Sequence, residues 1–558
     1  MRARISTVAD QQWKYAFQFS LPIQAVAPLS RDPNLLPLAV ADVQPSVSDA
    51  AQQRPSRPPT NRLTTVNLDV QSLIMSLLPT ADLSALMRTC RYFLDTGLLA
   101  LCARIPERVL KHGAGVASFY EFLRSHSGPL SRTHLITDLR FHLPYEPLHY
   151  RGTQSKAERA EHINALLGIL RSCRNLRRLR IDGWLKALPA SLLLHTLATS
   201  LEELEELTLA ITGRRDVEEK DLRKLGRLPK IRSIAIQASS ATGIQALQPI
   251  ARVLVELDRI HLHEFGPTLQ FANVQKLGVS ADRDPAWLEN ITTTFPNVSK
   301  LVLRPRVETL VQHRCYNDAG RAEDDSLRDY NRLQWRSARA KAWQSLETIW
   351  THDLCGLYCV GVPRRVHALS VPLERPQTTY LFPVILADTQ PGFLELRVDL
   401  SRLSRSVQLD GLGLVDAPAG SVVRRLALSL DFVYQGYGCQ EKPLLVALGR
   451  GLCALSLTHL LVRYRIGVGP LSPPDAAAVA ARAPDYATLL ARSSPSLRWI
   501  GFDICGRGLL SWEVSRPSGD GMASSTVDKT PMLTQRSEWM GRRVLEAEGM
   551  DVFTTDQP

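Results

Sequence analysis

"LRRLRI", residues 176–181, sets the reading of the whole chain. Apolar residues at its first, fourth and sixth places leave polar slots between them, as in a short strand with one face in a core. The pattern recurs as "ITDLRF" at 136, "LEELTL" at 204, "IRSIAI" at 231, "LDRIHL" at 257, "VQKLGV" at 274 and "VSKLVL" at 298. It continues as "VHALSV" at 366, "FLELRV" at 393, "VRRLAL" at 423, "LTHLLV" at 457 and "LRWIGF" at 497. From 176 the early copies are 28, 27 and 26 residues apart, within the period of leucine-rich repeats, whereas 34 and 40 residues separate the last three.

Helical spacing fills the gaps. Ile163, Leu166, Leu167 and Leu170 share one helix face before "LRRLRI", and Leu222, Leu225 and Leu228 share another before "IRSIAI". A helix feeding one short strand cannot bury its apolar face alone, so such units stack on their neighbours. The expectation is an α/β chain with a degenerate leucine-rich-repeat-like solenoid of helix–strand repeats over 113–515. A charged insertion near 304–345 carries a helix at its end. A doubly wound sheet is the alternative; the recurring motif and short period favour the solenoid. Residues 1–62, rich in Pro, Ser, Gln and Ala, read as a disordered leader. Residues 516–558 read as a flexible tail with a short helix, Arg536 to Glu548.

Bulk properties narrow the function classes. An apolar fraction of 44% and a charged fraction of 22% over 558 residues exclude gross disorder. The net charge of +12, spread over that length, is a weak pointer to an anionic partner. Nine cysteines scattered from Cys90 to Cys505 form no dense framework, which suits a reducing, intracellular compartment, cytoplasm or nucleus. The close pairs Cys90/Cys102 and Cys355/Cys359 have no second pair at zinc-site spacing, and His261 with His263 lacks a third ligand. No apolar run approaches the ~18 residues of a membrane span. Phosphate-loop, nucleophile-elbow and zinc-protease motifs are all missing. These features point to a non-enzyme that needs no cofactor or metal and binds neither membrane nor nucleic acid.

A second stretch, "DVQSLIMSLLPTADLSALMRTCRYF" at 69–93, interrupts this picture with two short apolar helices hinged at Pro79. Val70, Leu73, Ile74, Leu77 and Leu78 fall on one helix face. Leu83, Leu86, Met87, Cys90, Phe93 and Leu94 form a second stripe. Leu98, Leu101, Cys102, Ile105 and Val109 form a third, completing a small all-α module over 63–112.

This segment resembles an F-box, the adaptor-binding module of cullin–RING ubiquitin ligase receptors. The ordered pairs Asp69-Val70, Asp82-Leu83 and Cys90-Arg91, with Phe93 behind them, carry the resemblance. Asn67 stands where the family usually has proline, and Gln71 at a normally apolar place. The resemblance, to the fungal kind with degenerate leucine-rich repeats, implies a substrate receptor. A Skp-type adaptor and the cullin ligase core would dock through Val66, Leu68, Val70, Ile74, Met75, Leu78, Leu83, Leu86, Cys90 and Phe93. A plain repeat scaffold, with the hairpin as its amino-terminal cap, is the alternative.

In a repeat strand the slots between apolar positions face the concave, partner-binding side. Arg177, Arg178, Arg180, Arg232, Arg424 and Arg425 occupy such slots, as do Arg259, Lys276, Lys300, Arg397 and Arg498. Glu205, Glu206, Asp258 and Glu395 are the acidic ones. The expected partner of this basic face is an acidic or phosphorylated protein segment.

Overall fold

Alternate residues of the "LRRLRI" strand do part company: Leu179 and Ile181 enter the core, whereas Arg178, Arg180 and Asp182 lie on the other face. The computed structural model describes residues 68–553 with interruptions, the longest at 143–155, 305–317, 400–421 and 517–529. Among the described residues, strands join in chain order into one sheet. They are β1 (Val109–Leu110), β2 (Asp138–His142), β3 (Arg178–Asp182), β4 (Glu206–Ile211), β5 (Ser233–Ala238), β6 (Leu254–Ile260), β7 (Lys276–Ser280) and β8 (Lys300–Arg304). Then come β9 (Thr348–Thr351), β10 (Ala368–Pro372), β11 (Phe393–Asp399), β12 (Arg425–Phe432), β13 (His459–Ile466), β14 (Trp499–Ile504), β15 (Gly508–Ser515) and β16 (Met532–Arg536). Pairing is parallel through β14, and β15 and β16 close the row antiparallel. The fold is α/β, built from alternating strand–helix units.

Register explains why the pattern repeats. Leu139 pairs with Leu179 and Leu179 with Leu207, and further on Leu369, Leu394, Leu426, Leu460 and Ile500 form one continuous ladder. These side chains and the inner faces of the helices form the main core. Leu193, Leu194 and Leu197 of the helix Ala190–Ser200 are typical, spaced to lie on one side of it. Local signals bound the units: Asp353 caps the helix Leu354–Val360 by accepting from the Cys355 N–H at 3.0 Å, and Gly361 ends it at φ 60°. Cys355 and Cys359 on that helix are buried and in no disulfide. Gly278 of β7 is needed for space, because the Asp258 carboxylate occupies the place of a Cβ.

Several expectations are corrected. Val109, placed in a third helical stripe, opens the sheet as β1 beside Arg140. The charged stretch near 304–345 carries its helix, Asp318–Arg336, in its middle, and that helix is tied to its neighbours. Arg328 donates to Asp388 at 2.6 Å, Asn331 to the Cys359 carbonyl at 2.8 Å and Trp335 to the Val360 carbonyl at 2.9 Å. Right after it runs β9, a repeat strand without a recognised motif. Thr351 takes the last apolar place there, fully buried, its hydroxyl bonded to the Asp353 carbonyl at 2.7 Å. Two motifs were framed out of step: Leu257 pairs with Leu277 as a middle position, and Phe393 pairs with Ala368 on the face away from the helices.

The largest correction concerns the carboxyl-terminal end. The helix Glu538–Ala547 falls where expected, but the segment is not a tail. β16 adds to the sheet beside β15, and Leu545, Met550 and Phe553 are buried on the face opposite the repeat helices.

Candidate functional site

Two surfaces carry the candidate residues. The first is the helical hairpin, Leu68–Leu77 followed by Thr80–Met87. Its own core is Met75, Leu83 and Phe93, with Leu78, Leu86, Met87 and Ala100 half-buried around them. Gln71 is turned inward as well. The apolar stripe read from the sequence therefore splits. Met75 at 1% exposure and Leu83 at 0% are already buried, so neither has area left to contribute to a partner. Val70, Leu73, Ile74 and Leu77 point outward, Leu73 at 58% and Leu77 at 75%. Of the ten adaptor-contact candidates, Val70 and Ile74 are exposed, Leu78 and Leu86 half-buried, and Met75, Leu83 and Phe93 internal. Val66, Cys90 and the side chain of Leu68 lie outside the described residues. Leu73 and Leu77 were absent from that set, although the i, i+4 spacing that exposes them was visible in the sequence.

The second surface is the sheet face turned away from the helices. Its amino-terminal half is charged but balanced: Arg140, Arg178 and Arg180 stand against Asp138, Asp182 and Glu206. Arg178 forms a two-pronged pair with Asp138, one prong at 2.8 Å, and hydrogen bonding to that carboxylate raises its pKa. Arg180 Nε donates to Asp182 at 2.7 and 2.9 Å, and Arg140 Nε reaches the same carboxylate at 3.2 Å. Arg177 and Arg232 are not on this face at all. They precede their strands, on the rim where each N–H enters the preceding unit, and both approach Glu205, at 4.0 and 3.8 Å. The expected basic face is thus a mixed-charge face with a rim. Arg424 and Arg425 lie nine strands further along, about 40 Å away at ~4.8 Å per strand. The six arginines do not form one site.

From β8 to β14 the same face turns apolar: Val302, Trp350, Ala368, Phe393, Ala427, Leu461 and Trp499 are all buried there, under Leu545, Met550 and Phe553 of the carboxyl-terminal segment. The rings of Phe393 and Phe553 are 5.7 Å apart. Beneath them Glu395, at 0% exposure, accepts from Ser370 at 2.7 Å, Ser429 at 2.8 Å and Arg463 at 3.2 Å. Arg463 also donates to the Met550 carbonyl at 2.6 Å. At the rim Arg425 donates to the Glu548 carbonyl, and the Glu548 carboxylate lies 3.9 Å from both Arg425 and His459. Apolar residues in open-face slots were the missed signal that something covers them.

His459 makes this seam pH-sensitive. Burial is the main force lowering its pKa, Glu548 opposes it, and Arg425 and Arg498 add to it. With the folded value below the ordinary ~6.5, the unfolded state takes up the proton first. The stabilisation is complete above about pH 6.5 and is lost as pH falls from there towards the folded value. The protection factors of the amides of 538–553, taken against the intrinsic exchange rate at each pH, are expected to fall on acidification through that window in the wild type. His459→Gln should remove that component; an identical pH profile would contradict it.

Among the described residues no group of histidine, cysteine, aspartate and glutamate side chains could hold a metal ion. His261 and His263 lie outside them. No described helix is long and apolar enough to cross a membrane. The chain matches no protein-family model and no curated protein.

Proposed function

We propose that this chain is a non-catalytic substrate receptor of a cullin–RING ubiquitin ligase, its amino-terminal hairpin acting as an F-box and its sheet, a leucine-rich-repeat-like solenoid, presenting a protein substrate. One observation carries the reading: the hairpin completes its own core and still presents Val70, Leu73, Ile74 and Leu77. Burying apolar side chains of that size is worth roughly 1.5–3 kcal/mol each. A helix pair that merely capped the solenoid would direct its stripe into the neighbouring repeat. Among the described residues the hairpin cluster and the main core share no member. The receptor supplies proximity and orientation, and the chemistry belongs to the assembled ligase.

Tagged full-length chain is expected to co-purify with a Skp-type adaptor and cullin. Leu73→Asp with Leu77→Asp should abolish that capture while circular dichroism stays unchanged. Leu83 and Met75 are not suitable probes, because an acid at a core position would unfold the hairpin. Undiminished capture by the double variant would refute the docking face.

A further inference from the structure

Of the arginines expected to attract an acidic partner, Arg177, Arg178, Arg180 and Arg232 are engaged by carboxylates, as is Arg425. Arg424 is different. It sits on the rim before β12, exposed, with no ion pair to any described residue. Two steps along the rim stands Arg498, also exposed: the Thr458 N–H donates to the Arg424 carbonyl and the Arg498 N–H to the Thr458 carbonyl, both at 2.8 Å. Between them opens a cavity of about 360 Å³, lined by Arg424, Arg498, Arg516 and the hydroxyl residues Ser456, Thr458 and Ser496.

Arg516 gives the cavity a fixed charge. Its guanidinium donates to the carbonyls of Leu497 at 2.6 Å, Ser494 at 2.7 Å and Ala491 at 2.9 Å. These bonds orient the group without neutralising it, and burial lowers its pKa, as for a cation lacking a counter-ion. No carboxylate lines the cavity among the described residues. Three guanidinium groups and the hydroxyls of Ser456 and Ser496 surround one electropositive recess, the Thr458 hydroxyl being turned to the Arg424 carbonyl at 3.1 Å.

We infer that this recess is an oxyanion site that takes a phosphate monoester. A single carboxylate brings one charge and two acceptor atoms. A phosphoryl group brings about −1.5 to −2 and three acceptor oxygens, the closer match to three guanidinium groups. The neighbouring cavity, about 510 Å³, shares Arg424 and adds Arg365 and Arg425, but it also contains Glu548, whose carboxylate offsets one of those charges and repels a second anion. The phosphoryl group is therefore directed to the Arg498 side. The inference deepens the partner-binding half of the proposed function and is independent of adaptor docking.

The test is calorimetric titration of the full chain at low ionic strength with three probes: inorganic phosphate, a short phosphoserine peptide and its unphosphorylated twin. Phosphate and phosphopeptide are expected to bind and the twin not to. Arg424→Gln and Arg498→Gln should each weaken binding at least tenfold, and Arg232→Gln, on the distant rim, should leave it unchanged. A phosphopeptide that binds tenfold or more above inorganic phosphate assigns the site to a phosphorylated protein. Equal affinities assign it to free phosphate. No binding, or binding indifferent to both variants, overturns the site. A chain that captures the adaptor yet fails this titration loses this inference alone; the converse result removes the ligase reading alone.

Discussion

Arg463→Met is expected to cost about 3–5 kcal/mol in the carboxyl-terminal repeats, because it leaves Glu395 buried with two serine hydroxyls and no hydrogen-bonded counter-ion. Arg465, 3.9 Å from the same carboxylate, is too distant to donate a hydrogen bond to it. The Met550 carbonyl loses its donor in the same step, so the covering segment loosens too. Denaturant unfolding followed by tryptophan fluorescence reads the loss, since Trp350 and Trp499 lie on the same covered face. Adding Glu395→Gln should recover most of it: a buried charge without a partner is costly, whereas a neutral amide can use both serines. A loss below about 1 kcal/mol for the single variant, or no recovery in the double, would show that the network does not hold this face together.

Phe553→Ala combined with Leu545→Ala should release the carboxyl-terminal segment from the sheet. Truncations of buried Phe and Leu cost about 3–5 and 2–5 kcal/mol, and two neighbours in one cluster couple, so the sum is an upper bound. What remains to hold the helix Glu538–Ala547 is Gly541 against β15, Met550 on the sheet and the Arg425 and Arg463 bonds just beyond its end. Trp539 and Met540 on it are exposed, and isolated helices of ten residues are marginal in water. Trypsin is expected to cut the variant at Arg536, Arg542 and Arg543 under conditions that spare the wild type, and a dye that reports apolar surface should bind the uncovered face. Equal protease resistance would mean that β16, Met550 and the Arg425 and Arg463 bonds secure the segment without Leu545 and Phe553. Because the covered face spans β8 to β14, release would also enlarge the sheet surface open to a partner.

The comparison of sequence with structure turns on which face a residue's periodicity describes. The helix-facing ladder was legible because every unit needs the same two apolar positions, as Leu179 and Ile181 or Leu426 and Leu428 show. β9 escaped because Thr351 satisfies its hydroxyl locally and so replaces an apolar residue at no cost in unpaired polar groups. Phe393 misled the framing of β11: it is apolar because Phe553 covers it, not because it faces the helices. In the hairpin, period alone identified a stripe. It could not say that Met75 and Leu83 turn inward while Leu73 and Leu77 stay out, since helix spacing does not tell a core face from a docking face. Single-residue charge counting failed on the open sheet face for a similar reason. Asp138 sits inside a motif read as an apolar pattern and Asp182 directly after one, yet Asp138 pairs with Arg178 across strands, and Asp182 pairs with Arg180 along its own strand and with Arg140 of the neighbouring one.

The most direct measurement is hydrogen–deuterium exchange of the full chain with and without a purified Skp-type adaptor. Adaptor is expected to slow exchange of Leu68–Leu77 and Thr80–Met87, the helices that present Val70, Leu73, Ile74 and Leu77, and to leave the sheet from β2 to β16 unchanged. Exchange in the hairpin that is identical with and without adaptor, or protection appearing only in the sheet, would contradict the proposal that this hairpin is the adaptor-binding module.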